Sequence, residues 1–264
     1  MAALPENVWV QIGGCIKLSH CVGHDTIAAD ALKLVVAALM THRTNPQVQD
    51  WASQALAALC SGMDSACCAR KEQAMAEGAL EALVKSAQSK EVNVKRSAIG
   101  ALGNLCCGGD VGRTQRVMRA LEAQALEILQ QTLKTDDSSR TAPVAARTIR
   151  KVFAALAQLM EAAPEEVSSG ETLELVEKAM AARHDNLEIQ QVGRHIQQVA
   201  APRDCAKEKP SYWSGQATDA SGWNLCPVTE ETTLNALRKI FLVDRPKELG
   251  KGKDTEKYRE SQLI

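Results

Sequence analysis

Two apolar stripes recur along the first two hundred residues, and that recurrence constrains the fold more than any single motif. Val48-Gln-Asp-Trp-Ala52-Ser-Gln-Ala55-Leu56-Ala-Ala-Leu59-Cys60 and Val94-Lys-Arg-Ser-Ala98-Ile-Gly-Ala101-Leu102-Gly-Asn-Leu105-Cys106 carry apolar side chains at steps of 4, 3, 1 and 3. That spacing is one face of an amphipathic helix. Weaker copies run through Ala145, Thr148, Ile149 and Val152, and through Ile189, Gly193, Ile196 and Ala200. An early copy spans Val10 to Cys21. A second helix type alternates with the first. Its stretches are marked by Leu32, Leu80, Leu126 and Leu173, spaced 48, 46 and 47 residues apart. Two helix series holding one period predict a stack of helical repeats, each too small to bury its own apolar face.

The punctuation fits that reading. Asn45-Pro46 is an N-cap followed by proline at the first helical position, and Ser168-Ser-Gly-Glu171 reads as a capping box. Gly62 and Gly108-Gly109 end the two clearest helices of the first type. Aromatic residues make up only 3% of the 264-residue chain, against an apolar fraction of 45%. Small side chains suit closely packed helices and give strands little to pack with.

Glu77-Gly-Ala-Leu-Glu-Ala-Leu-Val84 resembles the second helix of the armadillo-repeat family, and Ala98-Ile-Gly-Ala-Leu-Gly-Asn-Leu105 resembles its third. The junction Leu39 to Gln49 is similar to that family's helix connections. The resemblance covers about residues 8–200 and implies an all-α, right-handed α-solenoid of about four armadillo-type repeats. HEAT repeats read similarly. It further implies that third helices line a concave groove, with residues two and six places after each helix's small residue facing inward. Those pairs are Ile16/His20, Gln54/Ala58, Gly100/Asn104, Arg147/Lys151 and His195/Val199. Nuclear-import receptors of the family place Trp and Asn there. This chain keeps only Asn104, which argues against that role.

The third and fourth repeats instead carry Arg147, Arg150, Lys151, Arg194 and His195. Guanidinium groups suit carboxylates or phosphates. The expected partner is therefore another protein, bound as an extended peptide that is acidic or phosphorylated, across a groove formed by these residues with Gln54, Gly100 and Asn104. The competing reading is a solvated helix face. Asn104 is open between a ligand's backbone and a neighbouring loop.

Chemistry is sparse. A net charge of −1 gives no electrostatic case for a nucleic-acid binder. No phosphate loop, nucleophile elbow or zinc helix is present. Cys15-x5-Cys21-x2-His24 is the nearest approach to a metal site and lacks paired CxxC spacing. The five histidines have no evident acid partner in the sequence. A non-enzymatic scaffold without cofactor or metal is expected. Cys60 and Cys106 fall at matching repeat positions, as buried thiols would, so a reducing cytosolic or nuclear compartment is expected. No stretch is apolar enough to span a membrane.

Residues 1–201 are expected to form the repeat domain, and 202–264 a less regular C-terminal tail. The tail holds five of the eight aromatics and four of the eight prolines. It reads as a cap on the last repeat, as a tail with a short binding motif, or as the start of an incomplete domain. Pro210-Ser-Tyr-Trp213, a helix over 229–241 and a Gly-Lys-Asp loop before Tyr258 resemble the leading edge of poly(ADP-ribose) polymerase-type domains. That resemblance implies, as the alternative function, a regulatory fragment of an ADP-ribosyltransferase whose catalytic residues lie outside this chain.

Overall fold

A computed structural model describes residues 1–20, 30–135 and 143–201. Among them every regular element is a helix: α1 (Val8–Ser19), α2 (Asp30–Thr41), α3 (Pro46–Leu59), α4 (Ser65–Ala76), α5 (Ala79–Ala87), α6 (Val92–Cys106), α7 (Arg113–Glu122), α8 (Ala125–Lys134), α9 (Pro143–Ala162), α10 (Pro164–Val167), α11 (Gly170–Ala181) and α12 (Leu187–Ala200). Helices α1, α3, α6, α9 and α12 stack side by side as one ladder, while α2, α5, α8 and α11 back them. Helices α4, α7 and α10 complete three three-helix units. The sequence reading found the ladder and backing helices and passed over these short first helices. The buried face of α4 is Cys67, Lys71, Ala74 and Met75, that of α7 is Arg116, Val117 and Ala120, and α10 is a single turn, so no run of leucines marks them.

The core follows the period. Val48, Ala52, Ala55, Leu56 and Leu59 are buried on α3, as are Val94, Ala98, Ala101, Leu102 and Leu105 on α6. Asn45 caps α3 by accepting from the Gln47 and Val48 amides, with Pro46 in the first turn. The cap of α11 is Ser169, one residue later than the sequence reading places the box. Its Oγ accepts from the Thr172 amide, where the reading had Glu171.

A repeated cap, unnoticed in the sequence, opens the ladder helices α1, α3 and α12. The pattern is Asn-x-x-Val/Ile-Gln at Asn7–Gln11, Asn45–Gln49 and Asn186–Gln190. In each copy the Asn accepts the third amide of its helix. The Gln Nε2 donates to two carbonyls ten and seven residues earlier: Met1 and Leu4, Leu39 and His42, Met180 and Arg183. All of these carbonyls but Leu39 O also accept the backbone amide three residues on, so the glutamine adds a second donor to each of those turns. Gln49 is also held by the Ser86 hydroxyl, which donates to Oε1. Gln49→Ala is expected to destabilise by about 1–3 kcal/mol by taking the side-chain donor from the buried Leu39 carbonyl. Urea unfolding beside the exposed-site variant Gln47→Ala checks this, and equal midpoints would contradict it.

The ladder's other end is closed from the following helix. Arg70 Nε donates to Leu59 O and Arg116 Nε to Leu105 O, both at 2.8 Å and 46 residues apart. Gly62 (φ 138°) and Gly108 (φ 149°) make the sharp turns between, in backbone conformations that side chains disfavour. Lys71, fully buried, donates to Gly62 O at 2.8 Å and Cys107 O at 2.7 Å, tying two consecutive turns together.

Candidate functional site

The inner ladder face is built by helices whose outer stripes are pinned in the core. Gln54, on α3, is half-buried and donates to Asp50 Oδ1 at 3.0 Å; Asp50 also accepts from Ser97 on α6. Gly100 is buried, and a Cβ built there would sit 3.4 Å from Lys151 Cδ. The stem of Lys151 therefore lies across it. Asn104, only 3% exposed, donates Nδ2 to Ala57 O of α3 at 2.6 Å. Asn104 thus donates to the last turn of the neighbouring ladder helix, not to a loop.

The basic residues divide into two groups. Arg147 and Arg194 are exposed, and neither forms an ion pair with a described residue. Arg150 pairs with Glu188 in the first turn of α12. His195 Nε2 lies 2.6 Å from Glu161 Oε1, and Arg113 Nη2 of α7 lies 2.6 Å from Glu161 Oε2. Burial raises the pKa of Glu161, but hydrogen bonds from His195 and Arg113 outweigh it and leave the pKa lowered. His195 thus has an acid partner that the sequence reading did not see, because Glu161 is 34 residues away and two elements intervene.

The levels along α9 also differ from the sequence reading. This helix has 20 residues against 15 in α6. Ala155 and Leu159 close an apolar crevice with Leu102, Gly103 and Cys106. Aligned by those contacts, Ala-Leu-x-Gln-Leu159 stands beside Ala-Leu-x-Asn-Leu105. Ala154 and Gln158 then match Gly100 and Asn104, and Arg147 and Lys151 lie two turns nearer the helix start. On that alignment α9 extends past α6 at both ends, with residues 143–145 before it and 161–162 after it.

The six described cysteines are free thiols. Burial pushes Cys15, Cys60 and Cys106 up to about 12, so these thiols stay protonated. No three-ligand cluster suited to a metal occurs among the described residues. Cys21 and His24 lie outside them, as do residues 202–264 with the polymerase-like resemblance.

Residues 70–107 match the family model of the armadillo/beta-catenin-like repeat. The fold is an armadillo-repeat solenoid. A crystal structure of an engineered protein from the Northeast Structural Genomics Consortium is similar over 89% of this chain and 93% of its own, with 23% identity and a TM-score of 0.57. A crystal structure of computationally designed armadillo repeat proteins for modular peptide recognition is similar over 75% of this chain and 79% of its own. Its identity is 21% and its TM-score 0.59. No curated protein matches the chain in sequence. None of the described helices is long and apolar enough to cross a membrane.

Proposed function

We propose that the protein is a non-enzymatic scaffold whose armadillo ladder holds an extended acidic or phosphorylated peptide of another protein. One observation carries the reading. Arg147 and Arg194 stand exposed on neighbouring ladder helices, while the cations beside them, Arg150 and His195, are already matched to carboxylates. Two guanidinium groups left to solvent on adjacent helices offer bidentate donors to carboxylate or phosphate oxygens. Gln54 and the Gly100 recess extend the binding face toward the first repeats. The peptide-recognition purpose of the designed neighbour supports the same use of the fold. Residues 1–201 act as the binding domain, with 202–264 a separate segment. Free thiols throughout the described residues support a reducing cytosolic or nuclear compartment.

The test is fluorescence anisotropy of the full chain with a labelled oligoglutamate peptide, a phosphoserine peptide and an uncharged peptide of equal length. Either anionic peptide is expected to bind, and the uncharged one not to bind. Arg147→Glu/Arg194→Glu is expected to weaken binding about tenfold or more with the helical spectrum unchanged. Equal affinity for all three peptides, or an unaffected double variant, overturns the reading.

A further inference from the structure

The ladder helices run the same way. Ser97 donates to Asp50 and Arg150 pairs with Glu188 between their early turns, while Asn104 donates to Ala57 O between their last turns. The ladder therefore has two unlike edges, one of helix starts and one of helix ends. Over α3, α6 and α9 the starting edge is basic. Arg43, Lys90 and Arg147 are exposed there, with Lys95 and Arg96 half-buried beside them, and none of them forms an ion pair with a described residue. Glu91 is the exposed carboxylate among the described residues of that edge. The ending edge has the opposite character. Asp64, Glu165 and Glu166 are exposed. The cations there are turned inward: Arg70 and Lys71 donate to carbonyls of the closing turns, and Arg113 and Arg116 pair with Glu161 and Asp110. Each edge also shows apolar side chains. Pro46 and Val92 open α3 and α6 and are exposed, while Met63 (51% exposed) and the fully exposed Val111 stand in the turns that follow the same two helices.

We propose that the chain associates with a second copy of itself head to tail, the ending edge of one ladder set against the starting edge of the next. This goes beyond the peptide-binding reading and does not rest on it. Charge names the occupant, because the surface that complements each edge is the other edge of the same molecule, and two like edges repel. Spacing agrees. Both edges repeat once per ladder helix, so a single register, α3 on α3 and α6 on α6, serves every helix at once. It sets Met63 and Asp64 toward Pro46 and Arg43, Val111 toward Val92, and Glu165 and Glu166 toward Arg147. It also points the negative C-terminal ends of one copy's ladder helices at the positive N-terminal ends of the other's. The contact is heterologous, so it propagates into a linear array or a ring instead of stopping at a two-fold dimer. Few apolar side chains and solvent-exposed charges make it weak, with a dissociation constant on the order of 0.1 mM.

Sedimentation velocity of the full chain, from about 5 μM to about 1 mM, tests this. The weight-average mass is expected to equal one chain below about 10 μM and to exceed two chains near the top of the range. Raising NaCl to about 0.5 M is expected to lower it again by screening the edge charges. Glu165→Lys/Glu166→Lys leaves every residue of the peptide surface in place and is expected to weaken association about tenfold or more, as is Arg147→Glu. An equimolar mixture of the two variants is expected to recover most of the association. In an alternating array each reversed edge meets its reversed counterpart, and each native edge a native one. That recovery also shows both variants to be folded. A mass of one chain at every concentration overturns the proposal. Reversals without effect overturn it too, as does a limit of two chains, the mark of a two-fold contact elsewhere. A mixture no heavier than its separate components does the same.

Discussion

Arg116→Ala is expected to lower stability by about 3–5 kcal/mol, the largest loss available from one polar side chain here. The Arg116 side chain is 1% exposed. Its Nε donates to Leu105 O at 2.8 Å, its two terminal nitrogens grip Asp110 at 2.7 and 2.8 Å, and Nη1 also meets Glu72. One planar group therefore closes the end of α6, fixes the turn that starts α7, and ties that turn back to α4. Truncation leaves the Leu105 carbonyl and the Asp110 carboxylate without their donor in a mostly buried place. Arg116→Lys is expected to recover little, since a single ammonium cannot reproduce the fork. Urea midpoints at pH 7 read the loss; a change below about 1 kcal/mol would mean that water replaces the guanidinium.

The same cluster sets an acid limit. Hydrogen bonds from Arg116 hold the Asp110 carboxyl well below the ordinary carboxylate range, against the opposing effect of burial. A carboxylate depressed in the folded state contributes stability that is complete above its unfolded value, about 3.9, and is lost as pH falls through the folded one. Stability is thus expected to decline below about pH 4, and less steeply in Arg116→Ala, where the pairing is already gone.

What the sequence makes legible is whatever the period carries. Leu56 and Leu102 are read as core from spacing alone, and both are buried. Asn45-Pro46 marks a helix start and is one. Features set by long-range geometry escape. The Gln11, Gln49 and Gln190 caps recur with a clear signal, Asn-x-x-Val/Ile-Gln, but glutamine carries no apolar periodicity, so a search for stripes passes over it. The Arg113–Glu161–His195 cluster joins three helices that no local spacing relates. Along α9, alanines at 145, 146, 154, 155 and 157 offer several registers of nearly equal apolarity. Only the contact of Ala155 and Leu159 with α6 selects one. For the site, composition indicates which helices carry cations. Which of those cations face solvent depends on where Glu161 and Glu188 fall, and that is a property of packing.

Leu102→Ala is the second large effect, expected at about 3–5 kcal/mol, the upper part of the range for a buried leucine. The cost of such a truncation depends on how far the surroundings collapse into the space left behind. Around Leu102 they cannot move far. Gly103 and Cys106 share its helix, and Ala120, Ala125 and Ala155 face it with side chains too short to reach in. Leu129 and Leu159 are already buried against other partners, at 1% and 2% exposure. The two ladder helices at the site are held at their C-terminal ends by separate devices, α6 by Arg116 of α7 and α9 by the Glu161 cluster. The void therefore persists instead of being repacked. Because α6 packs on both α3 and α9, the loss weakens the link between early and late repeats as well as one unit. Val111→Ala, at a fully exposed side chain, is the matched control and is expected to stay within about 0.5 kcal/mol. A single urea transition displaced for Leu102→Ala shows that the ladder unfolds as one body. A transition split in two shows that Leu102 is what couples its halves, and a loss no larger than the Val111 control would move Leu102 off the core face.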